Sequence, residues 1–530
     1  LISEVISTFG TLKPATCFWV MMKHLYSLAT ASLLLLVTPV WSQVLLNELQ
    51  ASNSSTIADP DNGEYSDWLE IFNDGTSPVN LSGWRLSDSG DNTEWSIPNG
   101  TILPADSFLL IWADGTGTGL HTSFSLSADG EELTLYNNAG TKVDFIAFPA
   151  QLTDASYGRE TNGASTWGFF NQPTPRKSNN TSTVFFDYVV QEPIFSISGG
   201  FFTGPVTVSI ADNYNTGTLR FTLDGAVPNE TSTVYTQPIQ INTTTVVKAR
   251  MFYSGQLPGP TVTNTYFINE GFDQRGLPVL SLSSDPDYFF APDSGLYVQD
   301  FKPTWEYPVH LEFYEPDGLA GFHHDAGIQV GGQNAWILPQ KLLNIYSRGQ
   351  YGSGHFDYQL FPDNPRTRFG DIVLRCSGND WSYTMFRDGM MQGLIDQATD
   401  MDDQDFRPCL VYINGQYFGI HNIREKQDAE YTEYYHSIDP DSLDYIENNA
   451  EIKEGNDIAY QQLVAMLTAG VQSDASFAAL DAIADTRNFT DYIISQIFVA
   501  NTSWGHNISL VRNQSPTGRW RWLLHDYDRG

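Results

Sequence analysis

Between residue 44 and about residue 160, apolar and polar positions alternate in short runs: DWLEIFN, WRLSD, SFLLIWA and ELTLYN. Gly, Asp, Asn or Pro breaks the pattern about every eight to twelve residues, which predicts an all-β sandwich over residues 43–165. Trp68, Ile71, Trp84 and Leu86 are its expected core. The Pro/Ser/Asn-rich stretch QPTPRKSNNTSTV predicts a linker over residues 166–184. A second series of short strands follows over 185–269. From about residue 275 the pattern changes. VHLEFYEP, GIQVGG and KLLNIYSR read as strands, whereas TMFRDGMMQGLIDQA, YQQLVAMLTAGV and FTDYIISQIFVAN carry apolar residues at helical spacing. CLVYINGQYFGIHNIREK reads as a hairpin, because Asn414-Gly415 suits a tight turn. The region 275–530 is thus an α+β unit.

The first residue is Leu1, and the stretch before Met21-Met22 reads as upstream translation. From Met22, Lys23 and His24 form a basic start, Leu25 to Val37 an apolar segment, and a cut is expected before Gln43. Residues 1–42 therefore read as upstream residues and a secretory signal peptide, with no transmembrane segment in the mature chain.

The 530 residues are enough for about three or four domains. A net charge of −35, from 62 acidic and 27 basic side chains, argues against nucleic-acid and anionic-membrane partners. It suits an exported or cell-surface protein. Cys376 and Cys409 either pair or stand as buried small hydrophobes. His323, His324 and His525 show no zinc spacing.

Phosphoryl transfer needs a cation on the nucleotide phosphates, one or two metal ligands, and a group that orients the attacking hydroxyl. The last region offers these in the chain order of a protein kinase. Lys341 lies in a strand after Gly331-Gly332, and Asp388 follows on a helix. The hairpin runs into Arg424-Glu425, and the loop NTSWGHN carries Asn507. Two further strands end in HDYD, with Asp526 and Asp528 at alternate positions.

Three resemblances follow from these residues. VLLNELQASN, SDWLEIFNDGTSPVNLSGWRLSD and FSLSADGEELTLYNNAGTKVDFIAF resemble the lamin-tail domain, an immunoglobulin-like sandwich. Within it Asn47, Glu48, Asp67 and Glu70 read either as a calcium cluster or as strand-end and turn residues. The segment FTLDGAVPNETSTVYTQPIQI, with its final TNTYFI, resembles the chitobiase C-terminal sandwich, a spacer module with glycan contact as the alternative. QVGGQNAW, PQKLLNI, VLRCSGNDW, RDGMMQ, VYINGQYFGIHNIREK and GRWRWLLHDYD resemble successive blocks of the CotH kinase family. The chain is expected to hold two all-β immunoglobulin-like sandwiches, then an α+β atypical protein-kinase-like domain that is truncated at its C-terminus.

The CotH resemblance implies ATP with Mg or Mn as cofactors and surface or extracellular proteins as substrates. It assigns Asp526 as the metal-binding catalytic aspartate and Asn507 as a second metal ligand, with Asp528 as a further ligand or a strand-end residue. It makes Lys341 the phosphate-contacting lysine, positioned by Asp388 or Glu425. The family pattern has an acid where this chain has Ser503, the expected base position, and serine supplies no equivalent charge. Three outcomes stay open: a pseudokinase, a substitute carboxylate, or slow transfer. A structural or adhesive extracellular interaction protein is the alternative to an enzyme.

Overall fold

The computed structural model describes residues 43–529 apart from 64, 91–94, 189–190, 213–216, 272–275, 299–300, 333 and 449. The export signal read at residues 1–42 lies outside the described residues.

The first sandwich packs two sheets face to face. One holds six strands, in the order Val184–Phe185, Trp167–Phe170, Ser156–Arg159, Val44–Gln50, Trp68–Asn73 and Ser107–Trp112. The other holds Trp95–Ser96, Arg85–Ser87, Glu131–Tyr136 and Lys142–Phe148. Strand alternation puts Leu69 and Ile71 between the sheets with Leu86, Leu133 and Leu135. Trp84 packs against the edge of that core. Trp68, one step out of phase, is buried on the opposite face with Leu110 and Trp112. The stretch 166–184, read from sequence as a linker, contributes the strand Trp167–Phe170 to this sheet.

Asn47, Glu48 and Glu70 hold down the loop at 174–179. Asn47 Nδ2 donates to Glu70 Oε1 at 3.2 Å and to Asn179 Oδ1 at 2.8 Å. Glu48 accepts from Thr174 N at 2.9 Å and from its hydroxyl at 2.6 Å. The carboxylate oxygens of Glu48 and Glu70 serve backbone and side-chain donors, from positions inside strands rather than at strand ends or turns.

The second sandwich sets Gly200–Phe202, Thr261–Ile268, Thr245–Phe252, Thr218–Thr222 and Thr233–Val234 in one sheet. The pair Val206–Val208 and Ile239–Ile241 lies over it, and Val208, Ile241, Val247 and Met251 fill the space between. The sandwich is fastened to the next unit by Phe267. Its ring centroid lies 5.6 Å from that of Tyr314 and 4.9 Å from that of Tyr412. Beside it, Thr265 N donates to buried Glu312 Oε1 at 2.9 Å.

That next unit begins with a closed barrel. Its strands are β1 (Val279–Ser283), β2 (Glu306–Tyr314), β3 (Ala320–Gly331), β4 (Leu342–Tyr346), β5 (Asp371–Arg375), β6 (Phe406–Ile413) and β7 (Gln416–Glu425). The order is β1-β2-β3-β4-β5-β7-β6, and a parallel β1–β6 pairing closes it. Leu282, Leu311, Ile328, Leu343, Ile345, Leu374 and Ile423 fill its interior. The hairpin β6–β7 pairs Ile413 with Gln416, so Asn414 and Gly415 alone make the turn. Their φ angles of 48° and 78° are the left-handed pair that an Asn-Gly turn allows. Cys376 and Cys409 are buried and free.

The unit also holds α1 (Arg387–Asp396), α2 (Ala429–His436), α3 (Ile458–Ala469), α4 (Asp474–Asp481) and α5 (Thr486–Phe498). A small sheet accompanies them: β8 (Leu443–Glu447), β9 (Glu451–Glu454), β10 (Ser509–Asn513) and β11 (Arg521–Leu523), in the order β9-β8-β10-β11. Tyr492, Trp520 and Tyr527 anchor the core beneath it. Among the described residues no helix is long and apolar enough to cross a membrane.

Candidate functional site

A cleft of about 1100 Å³ separates the outer face of the barrel from the small sheet and the loop after α5. Alternation along the strands builds its barrel wall. On β4, Leu343 and Ile345 point inward, so Leu342 and Asn344 line the cleft. On β5, Ile372 and Leu374 point inward, so Val373 and Arg375 line it. Tyr445, Glu447, Glu451 and Lys453 form the facing wall. Arg375, Arg424, Lys426, Lys453 and Arg529 all line this space, in a chain with only 27 basic residues. Glu447, Glu451, Asp526 and Asp528 line it too, so the cleft is close to charge balance in a chain of net charge −35.

Three carboxylates meet Arg375 at the cleft floor. Its Nη2 lies 2.5 Å from Asp526 Oδ1 and 3.2 Å from Asp528 Oδ2, and its Nε lies 3.6 Å from Asp388 Oδ2. Asp388, on the first turn of α1, also accepts from Arg424 Nη1 at 2.6 Å and from Tyr527 N at 2.6 Å. Burial works to raise the Asp388 carboxyl, but Arg424 and Arg375 outweigh it and hold the group below the usual carboxylate range. The helix acid therefore does find cations on barrel strands. They are Arg424 and Arg375.

Asp526 sits at φ 54°, a left-handed conformation that aspartate tolerates better than most residues. Asn507 Nδ2 donates to its Oδ2 at 2.6 Å, and Asn501 Nδ2 donates to its backbone carbonyl at 3.3 Å. Asp528 lies in the turn that follows the end of β11. Its Oδ2 accepts from Asn379 N at 2.8 Å, and its Oδ1 from Asn379 Nδ2 at 3.2 Å. Gly378, at φ 51°, makes this approach possible, since a Cβ there would stand 2.3 Å from Asp528 Oδ2. Burial, then the neighbouring Asp526 charge, pushes the Asp528 carboxyl up to about 6.

Ser503 lines the cleft and is 3% exposed. Its backbone N–H and hydroxyl both point to Asn501 Oδ1, at 3.0 and 3.3 Å. No carboxylate occupies this position of the loop.

The structure thus brings Asp526, Asp528, Asn507, Ser503 and Asp388 together. It does not bring Lys341 or Glu425 to them. Lys341 shares the parity of Leu343 and Ile345. Its Nζ donates to Trp336 O at 2.6 Å and lies 4.7 Å from the Phe301 ring centroid. Burial pulls this ammonium below its ordinary value. Glu425 shares the parity of Ile423 and pairs with Arg366 at 2.6 Å. Burial pushes its carboxyl up to about 7, against the pull of Arg366. Sequence reasoning gave Arg375 and Arg424 no role at the site and passed over Asn379, Lys426 and Lys453. Alternation along β5 and β7 is the signal that places the two arginines on one face.

Comparison with known families agrees with this layout. The Lamin Tail Domain model matches residues 41–150. The chitobiase/beta-hexosaminidase C-terminal domain model matches residues 197–263. The CotH kinase protein model matches residues 328–530, which include every residue of the cleft. No curated protein matches the chain. The chain joins, in this order, a lamin tail domain, a chitobiase/beta-hexosaminidase C-terminal domain and a CotH kinase domain.

Proposed function

We propose that the cleft binds ATP with Mg²⁺ or Mn²⁺ and transfers its terminal phosphoryl group to Ser or Thr hydroxyls of surface or extracellular proteins. The observation that carries this reading is the 2.6 Å contact of Asn507 with Asp526 inside a cation-lined cleft. An amide and two carboxylates are the hard oxygen donors that Mg²⁺ prefers, and Asn507, Asp526 and Asp528 would hold it. Bound there, the cation neutralises phosphate charge and orients the triphosphate. Arg424 Nε and Nη2 are buried and have no hydrogen-bond partner among the described residues, so they suit an incoming phosphate. Lys426, paired with Asp371 at 2.6 Å, adds a cation beside Arg424, and Lys453, paired with Glu451 at 2.7 Å, adds one on the facing wall. The net charge of −35 keeps nucleic acid off the list of partners. The export signal expected at residues 1–42 supports a reaction outside the cell.

A second reading rests on Ser503. Without a carboxylate in the loop, the domain binds nucleotide as a pseudokinase and serves as an interaction module between surface proteins. One experiment separates the two. The purified full chain is incubated with γ-labelled ATP and Mg²⁺ or Mn²⁺, beside Asp526→Ala, and both proteins are melted with and without nucleotide. Labelling that disappears in the variant supports transfer. A nucleotide-dependent rise in melting temperature without labelling supports the pseudokinase. Neither signal, or equal signals in both proteins, overturns nucleotide binding at this cleft.

A further inference from the structure

Far from the cleft, two loops of the first sandwich converge on one imidazole. Asp59 lies in the loop between Val44–Gln50 and Trp68–Asn73. Asp114 and His121 follow the strand Ser107–Trp112. His121 is 7% exposed and Asp59 0%. His121 Nδ1 stands 2.7 Å from Asp114 Oδ2 and 3.7 Å from Asp59 Oδ2. One ligand atom from each of the three residues lies within 4.8 Å of the other two.

The other atoms of these side chains are already engaged. Asp59 Oδ1 accepts from Asp61 N at 3.0 Å. Asp114 Oδ1 accepts from Thr116 N at 3.0 Å and from its hydroxyl at 2.9 Å. Asp61 Oδ2 stands 3.2 Å from His121 Nε2 on the far side of the ring. Each aspartate is therefore oriented through one oxygen and offers the second, Oδ2, to the same point. With an ion at that point, Asp61 would hold the proton on Nε2 and leave Nδ1 to the metal, as the carboxylate behind a metal-bound histidine does.

One atom is left over. Asp59 Oδ2 is buried and receives no hydrogen bond among the described residues. A protonated imidazole serves Asp114 and Asp61 but stands 3.7 Å from this oxygen and gives it no hydrogen bond. A buried carboxylate oxygen without a donor is costly. A cation between Asp59, Asp114 and His121 removes that cost.

We propose that Asp59 Oδ2, Asp114 Oδ2 and His121 Nδ1 form a divalent transition-metal site, with zinc the fitting ion. Two carboxylates and one imidazole suit zinc better than calcium, which takes six to eight oxygens. The separations of 2.7 and 3.7 Å bracket the ~3.3 Å edge of a tetrahedron with ~2.0 Å bonds. The ion ties the 59–63 loop to the end of the strand at Trp112. Asp114 also lines a hollow whose far wall is Arg348 to Gln350 of the barrel unit, so the same ion stiffens the seam between the two units. Chain separation hid the site from sequence reading, since the histidine lies sixty-two positions after Asp59.

The test uses the full chain carrying Asp526→Ala, which removes the cleft's own metal ligand, so that the proposed kinase reading and this site fail separately. The metal-free protein is titrated calorimetrically with Zn²⁺ and, in a parallel arm, with Ca²⁺. One zinc equivalent is expected to bind. Adding Asp59→Asn abolishes that uptake, and adding Asp61→Asn weakens it about tenfold. Circular dichroism checks that each variant is folded. If Asp59→Asn unfolds the chain, Asp61→Asn decides, because its side chain is 77% exposed and its loss spares the core. No zinc uptake, uptake unchanged in the folded variants, or calcium bound in preference to zinc overturns the proposal.

Discussion

Asn507 and Asp526 come from opposite sides of the β10–β11 hairpin and meet at 2.6 Å at the cleft floor. The contact depends on what surrounds it. Arg375 braces the other oxygen of Asp526 at 2.5 Å, and Asn501 holds the Asp526 backbone carbonyl. An aspartate held on three sides is preorganised, and preorganised charge is what phosphoryl transfer asks of a protein.

Removing that charge leaves the fold intact, because Arg375 keeps Asp388 and Asp528 as partners. Asp526→Ala is expected to melt within a few degrees of the parent and to lose the stabilisation by ATP and Mg²⁺. The parent gains about 2.7 kcal/mol at a hundredfold excess over Kd. Asn507→Ala is expected to fall between the two. Differential scanning fluorimetry across a nucleotide titration checks both, and an Asp526→Ala curve that follows the parent's contradicts the assignment.

Ser503 is the position at which one added side chain separates enzyme from pseudokinase. Ser503→Asp returns a carboxylate to the loop. If general base catalysis is what the cleft lacks, transfer rises by about 10²-fold or more. The change also sets a charge beside Asn501 Oδ1 in a site that is 3% exposed, so it costs roughly 1–3 kcal/mol of stability. Urea unfolding measures that cost, and Ser503→Asn controls for shape. No gain in transfer by a folded Ser503→Asp shows that the acid is not the missing part.

Much of this was legible in the chain, and the exceptions share one cause. The strands of the barrel, the Asn414-Gly415 turn and the three helices at helical spacing follow from local patterns, and the CotH resemblance put Asp526 with Asn507. Lys341 and Glu425 did not join the site, because motif order fixes where a residue lies along a strand but not which face it takes. The alternation itself carries that information: Lys341 is in phase with Leu343 and Ile345, and Glu425 with Ile423. Trp68 shows the same effect in the first sandwich, where it is buried out of phase with Leu69 and Ile71. The strand at Trp167–Phe170 was hidden for another reason. Its neighbours are rich in Pro, Ser and Asn, and its four residues are too few to show a period against them.

Strand face gives a direct contrast between two lysines. Lys341→Met keeps the volume of a side chain that faces Phe301 and Tyr297, and it is expected to leave the Kd for ATP within about twofold of the parent. Lys426 lines the cleft, and Lys426→Met is expected to weaken ATP about tenfold or more, the worth of one charge-assisted hydrogen bond. Calorimetry on the two variants checks this. A larger loss at Lys341 would return that residue to the phosphates.

The first sandwich is expected to carry a pH signature of its own, centred on Glu70. Its Oε1 accepts from Asn47 and its Oε2 from Arg176 N at 2.6 Å, yet it is fully buried beside Glu48. Burial, then the Glu48 charge, pushes the Glu70 carboxyl up to about 8. The sign follows from proton counts. Between pH 4.5, the ordinary glutamate value, and pH 8, the folded chain holds a proton at Glu70 that the unfolded chain has lost. Stability therefore falls as pH rises through this window and levels off above it. Glu70→Gln removes the titration. Asn47 Oδ1 has no donor among the described residues, so the new amide finds an acceptor within the same cluster. The variant is expected to match the parent near pH 4.5 and to exceed it by on the order of 1 kcal/mol or more at pH 8. Urea unfolding at the two pH values measures the difference. Parallel pH profiles for parent and variant would show that Glu70 is ionised in the folded chain and that the Asn47 and Arg176 contacts outweigh its burial.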